Sequence, residues 1–216
     1  MVMATAADRS GGRLPGPAQT DGRKLRREQN REAVVDALLA LFREGNYQPS
    51  AAEVATRSGL SLRSLFRYFD DVDDLHRAAA ARQIALVMPL LRVGIEPDAP
   101  TLDKVRALVQ ARVRLFEEIA PSARALRACA HRHEPLAAEL ARNRAFFRGQ
   151  LTVLFAPEAA LLAAEAGSKS FLPALDVLCS FESYELLRTD QGMSRARVET
   201  ILIDAISALA RQEVLQ

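Results

Sequence analysis

The chain has 216 residues, of which 49% are hydrophobic and 26% charged, with two cysteines, no tryptophan and a formal net charge of +2. This length suffices for one large or two small domains, and so small a net charge does not by itself indicate a nucleic-acid partner. No apolar run is long enough to cross a bilayer or to form a secretory h-region, so we expect no membrane association. The widely separated Cys129 and Cys179 fit a reduced, cytoplasmic protein better than a disulfide scaffold.

The first segment, residues 1–22, is rich in Ala, Gly, Pro and polar residues without periodicity, which predicts a disordered tail. A basic cluster follows, with Glu28 as the only acid among Arg23, Lys24, Arg26, Arg27 and Arg31. Two interpretations of this cluster stay open. It could contact DNA phosphates or a minor groove, or it could be an ordinary solvated segment.

An amphipathic helix is predicted over 28–44, with Gly45 ending it. Pro49–Leu75 then has the pattern of two short helices with a tight turn between them. Ser50 and Glu53 form a capping box, and Gly59 can adopt the left-handed conformation that ends the first short helix. Ser61 is a good N-cap for the second. This layout is a helix-turn-helix, and it makes double-stranded DNA the first partner to consider.

The second short helix is predicted over Leu62–Phe69. At 100° per residue its apolar side chains fall on one side, whereas Arg63 and Arg67 fall on the other. Outward guanidinium groups on a short helix suit guanine edges or phosphates in a major groove.

The order and spacing of Ser50, Val54-Ala55, Ser58-Gly59-Leu60-Ser61, Leu65–Phe69 and Leu75 resemble the DNA-binding signature of the TetR/AcrR family of bacterial transcriptional regulators. The resemblance implies a homodimer, a third helix in the major groove, and a larger C-terminal domain that binds an inducer. Carried over residue by residue, it implies these DNA-binding positions: Ala52, Ser61, Leu62, Arg63, Ser64, Phe66, Arg67 and Tyr68.

The sequence departs from the family pattern at three positions. Arg63 stands where the family often has Gly, Phe66 where it usually has Tyr, and Val72 where it usually has Lys. Two phosphate contacts typical of the family are therefore missing.

An acidic cluster at Asp70, Asp71, Asp73 and Asp74 follows. Its density could suit a hard cation, but we favour the interpretation that Asp70 or Asp71 caps a helix beginning near Val72 while the others complement its dipole. That fourth helix is predicted to run toward Arg92 and to kink or end at Pro89.

With ten Gly, ten Pro and no alternating strand pattern, the whole chain is predicted to be all-α. We expect a helix-turn-helix domain over 23–75 and a larger helical effector-binding and dimerisation domain over 76–216. Its predicted helices begin at Thr101, Pro121, Pro135 and Ser194, with a short helix after Pro157 and a long one over Ser170–Thr189.

The C-terminal domain carries candidate sites of two kinds. Apolar and aromatic residues with a few polar groups favour an effector pocket lined by Met88, Phe116, Phe146, Phe147, Phe181 and Tyr184, with His131 or His133 as polar contacts. The last two helices have apolar faces that are broader than one hairpin needs, which favours a homodimer through Phe171, Leu175, Leu178, Val198, Ile201 and Ile206.

No phosphate loop, nucleophile elbow or His-Glu-x-x-His motif is present, so we expect no enzyme, no cofactor and no metal. The one local cluster that could suggest a metal, His131-x-His133-Glu134, has its two histidines at a spacing that does not converge on a helix. The sequence therefore predicts a ligand-responsive repressor that binds a pseudo-palindromic operator and an apolar or amphipathic effector. The alternatives are a helical small-molecule-binding protein or enzyme with a vestigial helix-turn-helix, and a non-specific architectural DNA-binding protein.

Overall fold

The computed structural model describes residues 17–165 and 169–212. Within these ranges every regular element is a helix: α1 (Pro17–Arg43), α2 (Ala51–Arg57), α3 (Leu62–Leu65), α4 (Val72–Val87), α5 (Thr101–Ala130), α6 (Glu134–Leu154), α7 (Ala156–Glu165), α8 (Phe171–Leu178), α9 (Phe181–Glu185) and α10 (Arg195–Gln212). The predicted all-α class is confirmed. Residues 1–16 of the predicted tail lie outside the described residues, whereas 17–22 already belong to α1, which begins eleven residues before the expected start.

The first core joins α1, α2, α3 and the start of α4. Val34, Leu38, Val54, Leu65 and Phe69 are each no more than 1% exposed within it. The buried side chains of α2, Val54 and Ala55, are small and allow α3 to approach closely. Burial of these side chains is what makes two such short helices stable, because isolated helices of this length are not.

The predicted eight-residue α3 is wrong in its length. Regular α-helical geometry ends at Leu65, and the chain continues in a tighter turn in which the Arg67 N–H donates to the Ser64 carbonyl at 3.2 Å and the Tyr68 N–H to the Leu65 carbonyl at 2.9 Å. Bonds to the third preceding residue wind the chain more tightly than an α-helix. Phe69, which follows this turn, is 1% exposed in the first core.

A single long helix, α4, connects this core to the second one. Leu75 and Ala79 belong to the first core and Val87 to the second. The helix gives way at Met88–Leu91 to a 3₁₀ turn that contains Pro89, as expected from the missing N–H of proline.

The second core is built around α5, which is one continuous helix from Thr101 to Ala130 with Pro121 inside it. The predicted break at Pro121 is therefore wrong. Ala120, Ala123 and Ala125 are all buried, so the packed face of the helix continues through the proline. The helix begins at Thr101 as predicted, but Pro100 holds the cap position, and the Thr101 hydroxyl donates to Glu158 at 2.7 Å instead of capping the helix.

The long helix predicted over Ser170–Thr189 is interrupted. It consists of α8, a turn at Cys179-Ser180, α9, and a π-helical turn at Leu186–Asp190. The Ser180 hydroxyl accepts from the Ser183 N–H at 3.1 Å, so Ser180 caps a new helix instead of continuing the old one. In contrast, Ser194 lies at the predicted start of the last helix, and its hydroxyl accepts from the Arg197 N–H at 3.3 Å.

No helix in the described part of the chain is long and apolar enough to span a membrane.

Candidate DNA-binding surface and effector cavity

The start of α2 is fixed by the predicted capping box. The Glu53 N–H donates to the Ser50 hydroxyl at 3.3 Å, and the Ser50 N–H donates to the Glu53 carboxylate at 2.7 Å. The hydrogen bonds from Ser50 lower the pKa of Glu53. Ser50 and Glu53 therefore fix the N-terminal end of α2, the helix that precedes α3.

The turn between α2 and α3 depends on Gly59, which has a φ of 73°. This left-handed conformation favours glycine, and it lets the Leu60 N–H donate to the Ala55 carbonyl at 3.0 Å. The Ser61 hydroxyl then accepts from the Ser64 N–H at 3.1 Å and starts α3. The predicted turn and both caps are confirmed.

These features present one surface to solvent. Leu65 is fully buried, and the predicted contact residues surround it on the outside. Six of them are exposed and two, Ser64 and Tyr68, are half-buried. The exposed ones are Ala52, Ser61, Leu62, Arg63, Phe66 and Arg67.

Arg67 and Tyr68 belong to a small polar cluster with Asn30 of α1. The amide of Asn30 donates to the Tyr68 hydroxyl at 2.9 Å, and an Nη of Arg67 donates to the same oxygen at 3.3 Å. The hydrogen bond from Asn30 lowers the pKa of Tyr68 most, and the one from Arg67 has the second-largest effect. The positive charges of Arg67 and Arg27 also lower this pKa. Asn30 was missed by sequence reasoning, since nothing in its spacing links it to Tyr68.

The acidic cluster caps α4. The Asp71 carboxylate accepts from the Asp74 N–H at 2.6 Å, which confirms Asp71 as the N-cap. Asp73 faces α6 instead, where its carboxylate lies 3.1 Å from Nδ1 of His133. Among the described residues, no group of three or more His, Cys, Asp and Glu side chains is arranged to hold a metal ion.

A cavity of about 720 Å³ lies between α4, α5, α6 and the α8–α9 turn. Its walls are mainly apolar, and Leu39 and Phe42 of α1 reach it from the first core. Five of the six predicted apolar and aromatic lining residues border it. These are Met88, Phe116, Phe146, Phe147 and Phe181.

The other predicted pocket residues lie elsewhere. Tyr184 is buried behind the wall, with its ring centroid 5.5 Å from that of Phe116. His131 is exposed just after the end of α5, and His133 pairs with Asp73. Neither histidine borders the cavity. His76 borders the cavity in their place and stacks on Phe42 at 6.0 Å.

The rim of the cavity carries an excess of positive charge. Four arginines and three carboxylates border it, and His76 is the only histidine among the bordering residues. Arg127 and Arg144 both pair with the single carboxylate of Glu182, whereas Arg142 pairs with Glu139. Partial burial alone would raise the pKa of Glu182, but the hydrogen bonds from its two arginines outweigh burial and lower it to about 2.

The second half of α5 touches both the cavity and the helix-turn-helix unit. Ser122, Ala123 and Leu126 border the cavity. On the neighbouring face Arg124 donates to the Tyr47 hydroxyl at 3.4 Å. The amide of Gln48 donates to the Ala128 carbonyl of the same helix at 3.2 Å. The loop before α2 is therefore attached directly to a wall of the cavity.

The residues predicted for a dimer interface divide into two groups. Leu178 and Ile201 are half-buried in this subunit. The other four are at most 2% exposed in the second core of their own subunit, because α10 packs on α5 while α8 packs on α6 and α10. They are Phe171, Leu175, Val198 and Ile206.

Both cysteines are buried and free. Burial raises the pKa of the Cys129 thiol, and it raises that of Cys179 to about 12 despite the nearby charge of Arg112. Neither thiol has the low pKa of a reactive cysteine.

No protein-family model and no curated protein matches the sequence. The fold, however, is similar to that of solved transcriptional regulators. One from Rhodococcus sp. Rha1 has a TM-score of 0.63 and 19% identity over 84% of this chain and 96% of its own. A TetR-family regulator from Streptomyces coelicolor has a TM-score of 0.56 and 18% identity over 87% and 89% of the two chains. The chain has the fold of the TetR-family transcriptional regulators.

Proposed function

We propose that the protein is a DNA-binding transcriptional regulator that reads one half of a pseudo-palindromic operator through α3. The observation that carries the proposal is the exposed pair Arg63, on α3, and Arg67, on the turn that follows it. The start of α3, the turn before it and its buried side are fixed by hydrogen bonds and packing. Arg63 makes no ion pair or hydrogen bond with any described side chain. A free guanidinium on a rigid element is suited to a bidentate contact with guanine.

We infer further that the regulator binds a small amphipathic effector in the cavity and acts as a repressor. The apolar walls suit a hydrocarbon body, and the arginine excess at Glu182 suits an acidic end group. The coupling would pass through the second half of α5 to Tyr47 and Gln48. DNA is released only if the effector binds more tightly to the arrangement that cannot bind the operator.

The proposal includes a homodimer, because one four-residue helix contacts too few base pairs to specify an operator. A two-fold symmetric dimer can bind both half-sites of a pseudo-palindromic operator at once. The exposed side of α8 is a candidate surface for the dimer. Val177 is 65% exposed there, next to the half-buried Leu178, and also borders the cavity.

Selection of bound fragments from genomic DNA tests the function. The regulator proposed here should enrich one pseudo-palindromic sequence and should prefer it over scrambled duplex by at least about 10³-fold at physiological salt. Enrichment without a common sequence would favour an architectural DNA-binding protein. No enrichment would favour a small-molecule-binding protein that has lost its DNA contacts.

A further inference from the structure

The first turns of α1 extend beyond the helix-turn-helix core. Every residue from Gly22 to Gln29 is exposed, and the first buried side chain of α1 among the described residues is that of Val34. A helix gains most of its stability from packing. None of the side chains from Gly22 to Gln29 is buried by the described part of the chain, so packing within the subunit does not account for the sequence of this extension.

The charges of the extension are sorted by side. At 100° per residue, Arg23, Arg26, Arg27 and Asn30 fall within a sector of about 100°. Glu28 and Glu32 fall on the opposite side. The stretch 22–31 carries five basic residues and one acidic residue, Glu28. Because Glu28 lies on the opposite side, it does not neutralise the basic face.

The basic face is aligned with the recognition surface. Asn30, in the same sector, donates to the Tyr68 hydroxyl at 2.9 Å, and Arg67 donates to that oxygen from the other side. Arg27 is close enough to Tyr68 for its charge to lower the pKa of that phenol. Arg31 is held against the core, with its guanidinium 4.7 Å from the centroid of the Phe69 ring. The charges of Arg67 and Arg27 therefore both act at Tyr68, where α1 meets the recognition surface.

We propose that this face, formed by Arg23, Arg26 and Arg27, is a second DNA-binding element that contacts the phosphates flanking the half-site read by α3. It rests on the proposed function. Arg23 lies seven residues before Asn30, so it extends about 10 Å beyond the Tyr68 contact at 1.5 Å per residue. That length matches about three phosphates along one strand, at 3.4 Å each.

The test is the triple variant Arg23→Gln/Arg26→Gln/Arg27→Gln in the full chain. Glutamine keeps a similar helix propensity and removes the charge. The matched control, Arg106→Gln/Arg114→Gln/Arg197→Gln, removes the same charge from exposed positions on α5 and α10. Affinity is measured between 50 and 300 mM salt for the selected operator and for a scrambled duplex, with short and long flanks.

Loss of three phosphate contacts should reduce the slope of log K against log salt by about 2 to 3 per subunit. The decrease should be equal on operator and scrambled DNA, should vanish when the flanks are removed, and should be absent in the control. The preference for the operator should stay unchanged.

Equal slopes for the triple variant and the control would overturn the inference, as would a loss confined to the operator sequence. Because backbone contacts are measured on scrambled DNA too, failure to find an operator would contradict the proposed function without deciding the role of this face.

Discussion

Arg124 and Glu185 form a bidentate ion pair between α5 and the end of α9, with N–O distances of 2.6 and 2.8 Å. The same guanidinium donates to the Tyr47 hydroxyl, and these hydrogen bonds raise the pKa of Arg124. The planar guanidinium suits such a two-point contact, which a lysine could not make. One side chain thus joins the cavity wall, the α9 segment and the loop before α2.

Replacing Arg124 with Gln should therefore destabilise the protein. Both side chains of the pair are partly exposed, so we expect a loss of about 1–2 kcal/mol in the free energy of unfolding measured with urea. Arg106→Gln is the control, because its pair with Asp103 at 3.7 Å is more than half exposed and should contribute at most about 0.5 kcal/mol. In a double-mutant cycle, adding Glu185→Gln should cost little more. Additive losses would show that the two residues do not act as a unit.

Arg63→Ala should weaken operator binding by about 1–3 kcal/mol if the guanidinium pairs with guanine. The loss should disappear on an operator in which the contacted guanine is replaced, because the variant has no contact left to lose there. Fluorescence anisotropy on both duplexes, with Arg106→Ala as the control variant, measures this. An equal loss on scrambled DNA would instead assign Arg63 to a phosphate.

The helix-turn-helix unit could be predicted from the sequence because its determinants are local. The capping box of Ser50 and Glu53, the left-handed Gly59 and the caps Ser61 and Asp71 all act within four residues, and each is present as expected. The predicted length of α3 was wrong, because the sequence signal is local, whereas the turn after Leu65 is followed by Phe69, which packs in the first core. This packing is a non-local effect.

The structure of the C-terminal domain was harder to predict from the sequence, because tertiary contacts override its local sequence signals. Pro121 ends a helix by its own chemistry, but the buried face around it keeps α5 continuous. Lysine is a residue type that is rarely buried, yet Lys104 is 1% exposed and donates to Glu158 and to the carbonyls of Pro97 and Leu154. Four of the residues predicted to form a dimer interface are likewise used inside the subunit.

The proposed acidic end group of the effector can be tested with two probes of equal chain length, dodecanoate and dodecan-1-ol. The wild type should bind the acid more tightly, since Arg127 and Arg144 share one carboxylate. Arg144→Gln should reduce the preference for the acid and leave binding of the alcohol almost unchanged. Calorimetry measures both, with Arg106→Gln as the control. Equal affinities of the wild type for the two probes would exclude an acidic effector, and no binding of either would argue against the cavity as the site.

His76 should make the stability of the protein depend on pH. Burial lowers its pKa below the usual value of 6.5, and repulsion from His133 adds to this while Asp73 partly opposes it. Below pH 6.5 the unfolded chain binds a proton that the folded chain resists, so the folded state loses stability as the pH falls through this range. Urea unfolding at pH 7.5 and 5.5 should show a smaller loss on acidification for His76→Gln than for the wild type. The same pH dependence in both proteins would contradict the assignment.

Two aspartate substitutions on α8 distinguish a residue of the subunit core from a residue of the proposed dimer interface. Phe171 is 2% exposed, so Phe171→Asp buries an unpaired charge and should unfold the protein, seen as lost helical circular dichroism. Val177 is 65% exposed, so Val177→Asp should leave the subunit folded. If the exposed side of α8 joins two copies, sedimentation should show folded monomers for Val177→Asp and dimers for the wild type. Val177→Ser is the control for the loss of the apolar side chain without added charge. A Val177→Asp protein that remains a folded dimer would place the interface elsewhere.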